Sequence, residues 1–170
     1  MTPNLKVLGI DPSITNLGIS IIDGDLNILM ASRISTSPKN KIEFRLKELV
    51  DGIKKIVDKF GVDYIAMESS FFNPKTARGC IPLFQLMGTL IYSMYDSYSK
   101  PIELIAPKRM KKLITGSGNS NKEEVQESLF KYFGESLRPF MGKFDITDSL
   151  GVSLAFLMSR RDSLDKRPTK

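Results

Sequence analysis

The chain has 170 residues, a formal net charge of +6, a single cysteine and no histidine. That length suits one domain with a sizeable core, and 41% hydrophobic residues fit an ordinary globular chain with no run near the ~20 apolar residues of a membrane span. Without histidine there is no serine–histidine, cysteine–histidine or histidine–zinc chemistry, and Cys80 alone excludes an internal disulfide and a cysteine-rich zinc site.

In chain order, Lys6–Ile10 reads as a short apolar strand and Leu17–Ile22 as a second. Asp23-Gly24 is a type I′ hairpin signal, so Leu26–Ile34 should return antiparallel to the second strand. From Lys41 to Phe60 the apolar residues Ile42, Leu46, Leu49, Val50, Ile53, Ile56 and Val57 recur every three or four positions. They predict an amphipathic helix stopped by Gly61. Asp63–Met67 is a strand ending in Glu68. Thr76–Tyr98 is a long apolar helix, with Phe72 read as core, and Ile102–Ile105 is a short strand. Pro107–Thr115 is a basic helix, Gly116–Asn121 a loop, and Lys122–Phe133 a helix that Asn121 can cap with Glu124. Gly134–Phe144 reads as irregular, Phe144–Ser159 as the last helix and Arg160–Lys170 as a basic tail.

Strands joined by long helices imply parallel neighbours covered on both faces. The expectation is an α/β fold: one mixed five-stranded sheet with helices on both sides, residues 1–159 as the domain and 160–170 as the tail.

Two strands, KVLGID and DYIAME, end in Asp11 and Glu68. In open α/β sheets that edge binds ligands, and the two acids converge if the strands are parallel neighbours. In FDITDSLGVSLAF, Asp145 and Asp148 are three residues apart, on one face of a helix and in its first turn. Singly, each acid has an ordinary reading: a turn at Asp11-Pro12, a solvated Glu68, an N-cap at Asp145 with Asp148 adding charge. Together they form a repelling cluster that a hard divalent cation would relieve. Two Mg²⁺ ions per active site, with Mn²⁺ as a substitute, and phosphodiester hydrolysis are the matching chemistry.

The sequence pI of about 9.4 suits a polyanionic partner. Lys108, Arg109, Lys111, Lys112 and Lys122 fall in one acid-free stretch, which suits phosphate contact as well as a solvated helix face. GSGNSNK lacks the Gly-Lys-Ser/Thr ending of a P-loop and follows a helix. Phe71, directly after the acid-bearing strand, could stack on an unpaired base, and Lys75 and Arg78 lie just beyond it. The long helix, apolar on more than one side through Leu83, Leu86, Met87, Leu90, Ile91 and Met94, suits both core and subunit contact.

LGIDPSITNLGISII, AMESSFF, KRMKKLITGSGNSNKEEV and FDITDSLGVSLAF together resemble the RuvC Holliday junction resolvases, from Val7 to about Ser159. The resemblance implies an RNase H-like fold and a homodimer. It also implies paired metal-dependent nicks in four-way DNA junctions, leaving 5′-phosphate and 3′-hydroxyl ends. The family's four catalytic acids fall on Asp11, Glu68, Asp145 and Asp148, where many members carry histidine at the position of Asp145. Lys111 and Lys122 match lysines near the scissile phosphate, Phe71 matches a base-stacking aromatic, and the helix after Glu68 matches the dimer helix. The resemblance admits branch-migration proteins as partners and implies a cytoplasmic setting, that of a host if the chain is phage- or virus-borne, with no membrane. The alternative is another RNase H-like nuclease, acting on RNA–DNA hybrids or other branched DNA. An actin-like ATPase or sugar kinase needs two such domains, more than 170 residues supply.

Overall fold

A computed structural model describes residues 5–70 and 77–165, the side chains of 77–79 and 161–165 excepted. Strand β1 (Lys6–Asp11) sits in the middle of a five-stranded sheet. It pairs antiparallel with β2 (Asn16–Asp23), which pairs antiparallel with β3 (Ile28–Ser35). On its other side it runs parallel to β4 (Tyr64–Glu68), and β4 runs parallel to β5 (Ile102–Ile105). The order β3-β2-β1-β4-β5 is the mixed sheet expected from the sequence.

Alternation along the strands divides the core. Leu8, Ile10, Ile19, Ile21, Ile65 and Met67 face α1 (Ile42–Phe60) and α2 (Ala77–Tyr98). Val7, Ile22 and Ala66 face the other layer: α3 (Pro107–Thr115), α4 (Lys122–Phe133) and α5 (Phe144–Asp165). Gly61 ends α1 in the left-handed region at φ 60, where its missing Cβ removes the strain. α5 is buried nearly all round, because the sheet covers one side and α3 and α4 cover the other. Small residues let it approach the sheet. A Cβ at Gly9 would strike the Ser149 carbonyl and Ser153, and one at Gly18 would strike the Asp145 carbonyl. Ser20 and Ser153 meet through their hydroxyls at 3.2 Å in the same seam.

Three expectations change. The hairpin turn is not a two-residue Asp23-Gly24 turn. Asp23 ends β2, and its carboxylate accepts the N–H groups of Asp25 and Asn27 and the Asn27 side-chain amide. The loop therefore spans residues 24–27, with Leu26 in the left-handed conformation at φ 66, and β3 starts at Ile28, not Leu26. Gly134–Phe140, read as irregular, forms a 3₁₀ segment whose buried Leu137 joins the α4 and α5 core. The last helix continues past Ser159 to Asp165, and Arg160 lies over the Tyr64 ring at 4.1 Å.

Candidate active site

Parallel pairing of Ile10 with Met67 sets the tips of β1 and β4 side by side, so Asp11 and Glu68 emerge together at the C-terminal edge of the sheet. α5 crosses that edge with its first turns over β1 and β2, bringing Asp148 to the same place. The three acids, with Lys111, Lys122, Pro107, Met110 and Val125, line a cleft of about 230 Å³.

Each neighbour is set by local structure. The predicted capping box at the start of α4 is present: Asn121 Oδ1 accepts the Glu124 N–H at 2.8 Å, and Glu124 Oε2 accepts the Asn121 N–H at 3.0 Å. That box fixes Lys122 at the first residue of α4. Its Nζ donates to Asp148 Oδ2 at 2.8 Å and lies 5.2 Å from the centre of the Phe144 ring. Pro107 opens α3, and Lys111 one turn later faces the cleft.

The electrostatics follow from burial and crowding. Asp11 is pushed up from 3.8 to about 7, by burial first and then by Asp148 and Glu68; Lys122 pulls the other way. Glu68 is pushed up from 4.5 to about 7, by burial first and then by Asp148, opposed by Lys122 and Lys111. Burial tends to lower the Lys122 pKa, but the bond to Asp148 and the nearby acids raise it overall. Burial and crowding therefore oppose full ionisation of the cleft's acids, and the two lysines offset this only in part.

Asp145 is placed differently from the other three. It does not line the cleft; its Oδ2 lies 3.4 Å from Arg33 Nη1, on β3. Its charge still reaches Asp11, as does that of Asp148, but only Asp148 adds to the repulsion at Glu68. The N-cap reading of Asp145 does not hold. α5 begins at Phe144, so Asp145 lies inside it; the Lys143 carbonyl accepts from Ile146 and Thr147, and Asp145 Oδ1 shares the Ile146 N–H at 3.0 Å.

Of the basic residues, Lys108, Arg109 and Lys112 are exposed on α3, and Lys111 is half-buried. Arg109 Nη2 donates to Ser159 Oγ at 3.2 Å, toward the far end of α5. Phe71 and Lys75 lie outside the described residues, as does the Arg78 side chain. The sequence reading missed Arg33. An isolated arginine on an edge strand carries no pattern, and only the fold brings it to Asp145.

A family model described as "Crossover junction endodeoxyribonuclease RuvC" matches residues 7–156. A curated protein of that name from Campylobacter jejuni is 32% identical over 164 residues, covering 93% of this chain and 98% of its own. Another from Finegoldia magna is 32% identical over 162 residues, covering 92% and 95%. Among solved structures, Thermus thermophilus RuvC in complex with a Holliday junction substrate superposes with a TM-score of 0.82 at 22% identity, over 94% of this chain and 96% of that one. The yeast mitochondrial Holliday junction resolvase gives 0.69 at 18% identity, over 97% and 82%. These two likenesses establish the RNase H-like fold.

Proposed function

Since the chain belongs to the RuvC family of crossover junction endodeoxyribonucleases, we propose that it resolves four-way DNA junctions by paired nicks made at the Asp11–Glu68–Asp148 cleft. One observation carries the reading: three carboxylates from β1, β4 and α5 converge at the sheet edge beside two lysines.

The donor set fits a hard divalent cation. It offers only oxygen ligands, and burial with mutual repulsion leaves Asp11 and Glu68 short of counter-charge. Among the described residues no group of three or more acids is drawn close enough to hold a metal ion as placed, and Lys122 is the cation bonded to Asp148. Asp11, Glu68 and Asp148 would hold the ion, with Asp145 joining for a second; Mg²⁺ is the expected species and Mn²⁺ the substitute. Such ions, when bound, generate a hydroxide nucleophile at neutral pH and stabilise the leaving oxygen.

The chain's own residues do the rest. Lys111 and Lys122 place positive charge beside the scissile phosphate, where negative charge grows in the transition state. Lys108 and Lys112, exposed on the same helix as Lys111, engage flanking phosphates and supply salt-dependent affinity. Arg109 adds charge to that helix, and Phe71, Lys75 and Arg78 follow the strand that delivers Glu68. The products carry 5′-phosphate and 3′-hydroxyl ends.

A homodimer supplies the second nick. α2 buries Leu86, Met87, Leu90 and Met94 and leaves Ile81, Phe84, Ile91, Tyr92 and Tyr95 exposed along another side. Gly88 lies within that exposed side with nothing within 4 Å of its absent Cβ. A mid-helix glycine costs about 0.5–1 kcal/mol relative to alanine, and close approach by a second copy's helix gives it a purpose. Opposed sites related by a two-fold axis match the approximate symmetry of a four-way junction.

The test compares a synthetic four-way junction with linear duplex and with an RNA–DNA hybrid, each with Mg²⁺. Selective nicking of the junction by the wild-type protein, absent from Asp11→Asn, is expected. Preferential cutting of the hybrid would move the protein to the alternative substrate class.

A further inference from the structure

Asp145 and Asp148 share a face of α5 yet meet different cations. Asp148 turns into the cleft, to Lys122, whereas Asp145 turns away from it, to Arg33 at 3.4 Å. Arg33 comes from β3, an edge strand of the sheet, and its side chain is 56% exposed against 19% for Asp145. A mostly exposed arginine holding a mostly covered carboxylate can leave at small cost, because one end of the pair is already in water. The backbone at this point is fixed: α5 lies so close on β2 that any side chain at Gly18 would strike the Asp145 carbonyl. The Asp145 carboxylate has two contacts, Oδ2 to Arg33 and Oδ1 accepting the Ile146 N–H at 3.0 Å, and Arg33 is the one that a competing anion can withdraw. The Cβ that Gly18 lacks would strike the Asp145 carbonyl and lie 3.3 Å from Asp11 Cβ, so the two acids flank one residue and a carboxylate released from Arg33 rests beside Asp11.

We propose that Arg33 is a positioning residue that parks Asp145 outside the cleft and so controls its availability as a ligand for a second divalent cation beside Asp11. The inference rests on the metal-dependent reading of the site. A DNA phosphate is the natural competitor for the guanidinium, since both phosphate and carboxylate suit its fork of donors. Engagement of DNA by Arg33 would then free Asp145, coupling substrate binding to completion of the metal site.

The experiment is Mn²⁺ binding to the DNA-free protein, read by electron paramagnetic resonance and calorimetry, for wild type, Arg33→Ala, Arg33→Lys, Asp145→Asn and the Arg33→Ala/Asp145→Asn double variant. Arg33→Ala should tighten the weaker Mn²⁺ site by about five-fold, the scale of one removed unit charge at this separation in a partly hydrated setting. Arg33→Lys should restore most of the wild-type affinity. In the Asp145→Asn background the Arg33→Ala effect should vanish, because there is no carboxylate left to release. Thermal melting of Arg33→Ala should stay close to wild type, which keeps a folding defect out of the comparison. Unchanged Mn²⁺ affinity in Arg33→Ala would overturn the inference. So would an equal gain in the Asp145→Asn background, which would make Arg33 a general charge and no positioning residue. If Asp11→Asn leaves Mn²⁺ binding intact, the metal site itself is elsewhere, a result distinct from either.

Discussion

Lys122 Nζ lies 2.8 Å from Asp148 Oδ2, inside a cleft where Asp11 and Glu68 are both pushed up to about 7. One ammonium is the chain's own partial answer to three crowded carboxylates. It is held in place by the Asn121–Glu124 capping box that brackets Lys122 at the start of α4. This pairing ties helix capping, a stability feature, to the charge state of the proposed catalytic centre.

The acids should separate chemistry from binding. Asp11→Asn, Glu68→Gln and Asp148→Asn are expected to slow single-turnover junction cleavage by about three orders of magnitude or more, on the scale of several kcal/mol of lost charge stabilisation. Junction affinity should change little, since it comes mainly from lysine and arginine. Gel-shift titration beside quenched-flow cleavage checks both halves; near wild-type cleavage by any of the three removes that residue from the ligand set.

The metal-free protein should be most stable in mild acid. Asp11 and Glu68 ionise near 7 in the fold but near 3.8 and 4.5 in the unfolded chain. Between these values the folded state binds more protons than the unfolded one, so stability falls as pH rises from about 4 to about 7 and levels off above. In EDTA, Asp11→Asn should flatten much of that slope and raise the melting temperature at pH 8 by roughly 5 °C. A melting temperature that climbs from pH 5 to pH 8 in the wild-type protein would contradict the raised pKa values.

Lysines inside and outside the cleft should behave differently. Lys111→Ala is expected to lower the cleavage rate at saturating protein by about 10²-fold, the effect of removing one donor at developing charge. Lys108→Ala should leave that rate alone, weaken binding and reduce the slope of log affinity against log salt by about 1. Equal affinity losses with no change in saturated rate would make both plain phosphate contacts.

Gly88 gives the dimer a two-sided test. In a monomer, Gly88→Ala would simply strengthen an exposed helix, by about 0.5–1 kcal/mol. At a close helix crossing, Gly88→Leu should weaken self-association by ten-fold or more, visible in sedimentation across a concentration series. A monomer in the wild-type protein at all concentrations, junction-bound included, contradicts the two-fold model.

Much of this architecture was legible because it rests on local signals. Apolar period gave α1, Pro107 and Gly116 bracketed α3, and Asn121 with Glu124 announced α4. Asp11 and Glu68 could be paired in advance because parallel neighbours in a sheet align their tips. The misses share a different origin. Asp23 acts through side-chain bonds to residues beyond Gly24, so a dipeptide signal mislocated the turn. Gly134–Phe140 folds into a 3₁₀ segment because Leu137 has α4 and α5 to pack on, which no local pattern encodes. Arg33 and Asp145 are 112 residues apart and meet only once β3 and α5 are placed. Asp145 shows the limit of spacing arguments: three residues from Asp148 and on its face, it still turns to another partner.

Coordinated cleavage is the most direct measurement. A supercoiled plasmid that extrudes a cruciform presents one four-way junction, and two nicks made within one binding event yield linear DNA, whereas isolated nicks yield open circles. Wild-type protein with Mg²⁺ should give mainly linear product, and mixtures of wild-type with Asp11→Asn subunits should shift the product toward open circles. Open circles alone from the wild-type protein, or cutting of the same plasmid without its cruciform, would contradict junction resolution by paired nicks.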